Sequence, residues 1–183
     1  MLPSSPTQFI VIGVSGSGKT TLGRALAEHF KLPFLDADDF HTAEAKTRMG
    51  RGEGLTDAER QPWLTRLRVE LDAYAARHEG VVLACSGLKR AHREALRGPQ
   101  TNLTRTDLTQ TRFIYPDVPP EALRARLERR EGSYATPALL PSQLAAFEPP
   151  DDTEALIVPV SAQSTAQSVL GDVLARLEVR HAL

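Results

Sequence analysis

The stretch QFIVIGVSGSGKTTLGRALAEHF, residues 8–30, decides the fold. Its first third is apolar and β-branched and runs into glycines, which predicts a buried strand over Gln8–Val14. Its last third places Leu22, Ala25, Leu26 and Phe30 at helical spacing, which predicts a helix over Lys19–Phe30. Between them, Gly13-Val14-Ser15-Gly16-Ser17-Gly18-Lys19-Thr20 matches the phosphate-binding pattern G-x-x-x-x-G-K-[ST] in full. Glycines let successive backbone N–H groups converge on phosphate oxygens, and the helix N-terminus adds a partial positive charge. Gly13, Val14, Ser15, Gly16, Ser17, Gly18, Lys19, Thr20 and Thr21 are therefore the expected ATP-binding residues. Lys19 is placed to reach the β- and γ-phosphates as a catalytic cation, and the Thr20 hydroxyl to hold Mg²⁺.

Outward from this loop, apolar segments alternate with helical ones. Strands are expected at Pro33–Asp36, Gly80–Ser86, Thr111–Tyr115 and Leu156–Val160. Thr56 and Glu59 have capping-box spacing ahead of Trp63, Leu64, Leu67, Leu71 and Tyr74, which predicts a long amphipathic helix. Further helices are expected at Lys89–Arg97, Pro119–Arg130 and Ser164–Val179, and a short one ends before Glu148. Gly98–Gln110 reads as a loop and Gly132–Pro141 as a break. The alternation predicts an α/β fold, a five-stranded parallel sheet covered by helices on both faces. The 183 residues fit a single domain over 1–183, with no internal repeat.

A formal net charge of -1 speaks against a dedicated nucleic-acid binder. The apolar run Phe9–Val14 is too short to span a membrane. Cys85 is the single cysteine, so no intrachain disulfide forms, and a reducing cytoplasm is the expected location.

A second constellation, Asp36-Ala37-Asp38-Asp39-Phe40-His41, follows the second strand. In a doubly wound sheet the carboxyl end of that strand opens into the crevice that holds the phosphate loop. The third strand ends in Cys85-Ser86 without an acid, which moves the metal role to Asp36. Asp38 becomes the candidate base and partner of an acceptor hydroxyl, with His41 beside it. An acidic turn capping the next helix is the plain alternative. A third constellation, Arg124, Arg126, Arg129 and Arg130, crowds one helix end. Arg126 and Arg130 share a face and are the catalytic candidates of a closing lid over about 124–148. A solvated face paired with Glu128 and Glu131 is the alternative. Lys89, Arg90 and Arg93 either meet an anionic substrate or solvate a helix.

The strings GVSGSGKTTLGRALA (13–27), LDADDFH (35–41), RMGRGEGLTDAERQPWL (48–64) and VLACSGLKRAHREALR (82–97) resemble the P-loop, or thermoresistant, gluconate kinases. The resemblance continues through Arg126, Arg130, Leu139-Leu140, Ser142-Gln143 and Glu148-Pro149-Pro150. Departures from the family pattern stand at Ala37, Thr42, Ala45, Gly87 and Gly132–Ala135. The resemblance implies a nucleoside-kinase-like three-layer sandwich with a short lid, often a homodimer. It implies Mg²⁺-dependent transfer of the ATP γ-phosphate to the 6-hydroxyl of D-gluconate. Carried onto this chain, it makes Asp38, His41, Arg60, Lys89 and Arg93 the substrate-binding residues, and Thr20 and Asp36 the metal residues. A kinase for another small hydroxy acid, as in shikimate kinases, and a non-catalytic ATP-binding regulator are the other two readings.

Overall fold

Along the first strand, Phe9 and Val11 turn to one side and Ile10 and Ile12 to the other, and all four are buried. A strand buried on both faces needs a helical layer on each, and this alternation organises the molecule. The computed structural model describes residues 6–98, 110–129, 137–161 and 163–179. Five strands, β1 (Thr7–Val11), β2 (Phe34–Asp36), β3 (Val81–Ala84), β4 (Gln110–Asp117) and β5 (Ala155–Pro159), form one sheet in the order β2-β3-β1-β4-β5. All four pairings are parallel. The expected α/β architecture is thus observed.

The helices are α1 (Lys19–Phe30), α2 (Ala43–Gly50), α3 (Asp57–Ala76), α4 (Arg90–Arg97), α5 (Pro120–Glu128), α6 (Leu140–Ala146) and α7 (Ala166–Val179). Leu22 and Leu26 of α1, Leu123 and Leu127 of α5, and Val169 and Val173 of α7 pack on the Phe9 face. Trp63, Leu64, Leu67 and Leu71 of α3 and Leu96 of α4 pack on the Ile10 face. Cores of this kind on both faces supply the main stabilising term, roughly 25 cal/mol per Å² of apolar surface buried.

Local rules explain the starts of these helices. Thr56 Oγ1 accepts the Glu59 N–H, and the Glu59 carboxylate accepts the Thr56 N–H at 2.8 Å, closing the expected capping box on α3. Thr42, where the gluconate-kinase pattern has proline, caps α2 by accepting the Ala45 N–H at 3.1 Å. The sequence pattern did not single out α2, a short helix with one buried residue, Met49. A 3₁₀ turn over Ala37–Phe40 likewise stands where only an acidic turn was legible. Another over Pro137–Leu139 leads into α6, so helix begins inside the expected break. Residues 99–109 of the expected loop and 130–136, with Arg130 and the departure Gly132–Ala135, lie outside the described residues. Among the described residues, no helix is long and apolar enough to cross a membrane.

Candidate active site

The turn between β1 and α1 forms a loop at the carboxyl end of the sheet. Gly16 and Gly18 adopt φ of 85° and 88°, a region that side chains with a Cβ rarely occupy. At Gly16 space is also lacking, because a Cβ there would sit 2.9 Å from the Leu123 carbonyl oxygen. The Gly18 conformation starts α1 with no side-chain cap, leaving that helix end to an outside anion. Lys19 Nζ donates to Val14 O at 2.9 Å, folding the ammonium back across the loop.

Thr20 and the second-strand acids meet as the sequence suggested. Thr20 Oγ1 donates to Asp36 Oδ2 at 3.0 Å, and Asp36 Oδ1 accepts the Asp38 N–H at 3.1 Å. One carboxylate therefore joins the end of the phosphate loop to the turn that carries Asp38. That turn is pinned from α3, where Trp63 Nε1 donates to Ala37 O at 2.8 Å and Arg66 Nη2 to Phe40 O at 3.1 Å. Asp38, Lys19 and Arg60 all act electrostatically on the buried Cys85 thiol at the end of β3, so the three charges converge there. Burial, more than any of these charges, pushes that thiol up to about 12 and leaves it inert.

His41 lies flat on the Trp63 ring, with centroids 4.4 Å apart and planes 9° apart. Burial first, then the positive charges of Arg60, Lys46 and Arg66, lower its pKa to about 4. It is a neutral imidazole near neutral pH, not a cation. Arg60 is buried beside it and donates from Nε to Leu55 O at 3.2 Å. Lys89 Nζ pairs with Asp57 Oδ2 at 2.6 Å, and the other oxygen of Asp57 lies 3.2 Å from His92 Nε2.

Arg93 departs from the expectation of a substrate cation. It is 1% exposed, pairs with both oxygens of Glu154 at 2.8 and 3.0 Å, and donates from Nη1 to the Gly87 and Glu148 carbonyl oxygens at 2.9 Å. The reason is its place on α4, where the face turned to the sheet collects carbonyls from the β3–α4 turn and the approach to β5. Gly87 in that turn has φ of 49°, and a Cβ there would meet Ile12 Cγ2 at 2.8 Å.

Beside the phosphate loop, a cavity of about 530 Å³ is lined by Lys19 and Thr20, by Arg126 and Arg129, and by Pro116 and Val160. Arg126 Nη1 stands 4.0 Å from the Cβ position of Gly18, over the loop. Arg124 instead borders a separate groove with Leu140 and Leu144, so Arg129 and not Arg124 accompanies Arg126. Ser164 and Thr165, ahead of α7, line the same cavity and carried no sequence signal as site residues, because a cavity wall is a matter of shape rather than motif. Trp63 was legible as an apolar helix position, but its stacking on His41 was not.

A family model described as "AAA domain" matches residues 9–150. A gluconokinase from Gluconobacter oxydans is 40% identical over 152 residues, covering 83% of this chain and 81% of its own. Among solved structures, a sugar kinase from Janibacter sp. HTCC2649 superposes with a TM-score of 0.80 at 34% identity, covering 94% of this chain and 95% of its own. A gluconokinase from Sinorhizobium meliloti 1021 superposes with a TM-score of 0.71 at 32% identity, covering 96% and 97%.

Proposed function

The chain belongs to the gluconokinase family of P-loop kinases, and on that premise we infer that it transfers the γ-phosphoryl group of ATP to the 6-hydroxyl of D-gluconate. The products are ADP and 6-phospho-D-gluconate. The observation that carries the reading is the chain Thr20–Asp36–Asp38, which couples the phosphate loop to a second acid at the mouth of the crevice. A nucleotide-binding loop alone has no need of that second acid.

In this reading, the N–H groups from Gly16 to Thr21 and the N-terminus of α1 receive the phosphates, with the Ser17 N–H leaving the Val14 carbonyl that it meets at 3.2 Å. Lys19 exchanges its Val14 carbonyl for a phosphate oxygen. Asp38 accepts the proton that leaves the acceptor hydroxyl as it attacks. Arg126 faces the charge that spreads over the transferring group, and Arg130 is assigned the same role. His41, neutral, offers a hydrogen bond to an acceptor hydroxyl. Arg60 supplies positive potential, and Lys89 supplies the cation for the acceptor carboxylate. The Lys89–Asp57 pair is open to solvent at its carboxylate, so exchanging that partner costs little.

Among the described residues, no three His, Cys, Asp or Glu side chains gather into an all-protein metal site. The Thr20 hydroxyl and the Asp36 carboxylate are hard oxygen donors of the kind Mg²⁺ takes together with phosphate oxygens and water. Bound there, Mg²⁺ supplies charge neutralisation on the phosphates. Residues 1–183 are read as one kinase domain, with the lid over about 124–148. The lone cysteine and the use of ATP support a cytoplasmic setting.

The test is ADP release by the purified full chain over a panel of sugar acids, shikimate and nucleosides. Gluconate-dependent ADP with a phosphomonoester on C6, read by ³¹P NMR, is the expected result. Faster turnover of another acceptor, or nucleotide binding with no acceptor-dependent ADP, rejects it.

A further inference from the structure

Gln143 takes no part in the chemistry described above, yet it makes a long-range contact with the phosphate loop. Its Oε1 accepts the Ser15 N–H at 2.7 Å, across 128 positions of chain. Ser15 is 7% exposed and Gln143 8%. The oxygen must be the atom that faces Ser15, because an amide nitrogen there would set donor against donor. Within the same loop, the Gly13 N–H goes to Ser86 O at 3.1 Å and the Ser17 N–H to Val14 O at 3.2 Å. Ser15, between them, is held by a side chain from α6.

What carries Gln143 is itself held on both sides of the crevice. Ser142 Oγ is 3.3 Å from the Cβ position of Gly54, in the connection between α2 and α3. The Phe147 ring meets Tyr115 of β4 at 5.4 Å. Glu148 then fixes the segment to the β3–α4 turn, its N–H donating to Leu88 O at 2.8 Å and its carboxylate accepting the Arg90 N–H at 2.8 Å. The stretch from Ser142 to Glu148 is thus a strap between the phosphate loop, where Gln143 meets Ser15 and Phe147 meets Tyr115, and the acceptor wall, where it meets Gly54 and the Leu88–Arg90 turn that carries Lys89.

We propose that Gln143 is a positioning residue for phosphoryl transfer: through the Ser15 N–H it sets the spacing between the phosphate loop and the acceptor wall. Transfer needs the attacking oxygen and the phosphorus in line at contact distance, and a misplacement of about 1 Å costs on the order of 10²-fold in rate. Ser15 was among the expected ATP-binding residues, but its N–H is taken by Gln143. The phosphate contacts from Gly16 to Thr21 do not pass through this bond, so ground-state nucleotide binding is spared. The proposal rests on the gluconate reading for its rate assay but not for its structural assay.

The test uses Gln143→Met in the full chain, a side chain of similar length whose thioether is only a weak hydrogen-bond acceptor in place of the amide oxygen. Gluconate kcat is expected to fall at least about tenfold, with ADP affinity within about twofold of the parent. Amide exchange at Ser15, followed by NMR, is expected to accelerate relative to Gly13 and Ser17. Gln143→Glu keeps an accepting oxygen and is expected to keep Ser15 protected, which serves as the readout if the Met variant does not fold. An unchanged kcat, an unchanged Ser15 exchange rate, or ADP affinity falling in step with kcat overturns the proposal. If the parent chain releases no ADP with gluconate, the substrate reading fails, while Ser15 exchange still judges the contact.

Discussion

At the phosphate end of the crevice, Gly13–Thr20 shape the site mainly with backbone, and one short segment carries nearly every group. At the acceptor end, Asp38 and His41 come from one turn, Arg60 from α3 and Lys89 from the start of α4, and both cations already hold protein partners. Backbone recognition is written in glycine spacing and needs only a strand before it and a helix after it. Side-chain recognition depends on which cations the fold has already consumed. The pair Arg93 and Lys89 shows this best: they lie four positions apart, yet one is locked to Glu154 inside the protein and the other is paired with a largely exposed Asp57.

The largest effects should fall where the two ends meet. Lys19→Ala is expected to abolish transfer, and Asp38→Asn to lower kcat by about 10²–10⁴-fold, the usual worth of a positioned base. Circular dichroism should show both variants folded, and ADP affinity should persist in Asp38→Asn. Full activity in either variant removes the role assigned to that residue. Next comes Arg93→Met, which leaves the Glu154 carboxylate buried without its partner. The expected cost is about 3–5 kcal/mol in urea unfolding, with KM for gluconate little changed in the protein that remains folded. Intact stability with a raised KM would return Arg93 to the substrate and erase the contrast with Lys89.

The same contrast accounts for what was legible in the sequence. The phosphate loop and the α/β class could be read because Gln8–Phe30 holds a strand, a glycine turn and a helix in one piece. That Asp36 comes close to Thr20 was legible because it ends a strand that opens into the same crevice, with Asp38 in the turn that follows. The burial of Arg93 was not legible, because its spacing on α4 says which face it lies on, but not that Glu148 and Glu154, more than fifty residues on, lie across from it. Gln143 could be quoted as part of a pattern, but its contact with Ser15 spans the chain and leaves no local period. The stacking of His41 on Trp63 escaped for the same reason, since it joins a loop to a helix whose register only the fold supplies.

A smaller effect is expected from Lys89→Met. Loss of a charge-assisted hydrogen bond to the acceptor carboxylate is worth about 1.5–3 kcal/mol, which predicts a rise in KM for gluconate of about tenfold or more. Stability should change by less than about 1 kcal/mol, because the Asp57 partner is largely exposed. A large stability loss with KM unchanged would make Lys89 a second Arg93.

The smallest effect concerns His41 and reads the acceptor end through pH. Its pKa in the folded protein is about 4, against an ordinary value of 6.5, chiefly because it is buried against Trp63 and secondarily because Arg60, Lys46 and Arg66 surround it with positive charge. As pH falls below 6.5 the unfolded chain takes up a proton at this position, and the folded chain resists until about 4. Stability is therefore fully present above 6.5 and is lost progressively between 6.5 and 4. His92, also lowered mainly by burial, acts in the same direction, so removing one histidine flattens the fall without abolishing it. Glu59, held at about 2 by Arg48 and Thr56 against an ordinary 4.5, keeps its contribution down to about pH 4.5 and loses it between there and about 2. His41→Gln should accordingly show a lower melting temperature at pH 7.5, where stacking on Trp63 is lost, but a smaller drop from pH 7.5 to 5 than the parent chain. An equal drop in both proteins would mean that His41 titrates normally, and the acceptor end would then hold a histidine as open to water as the phosphate loop is to its ligand.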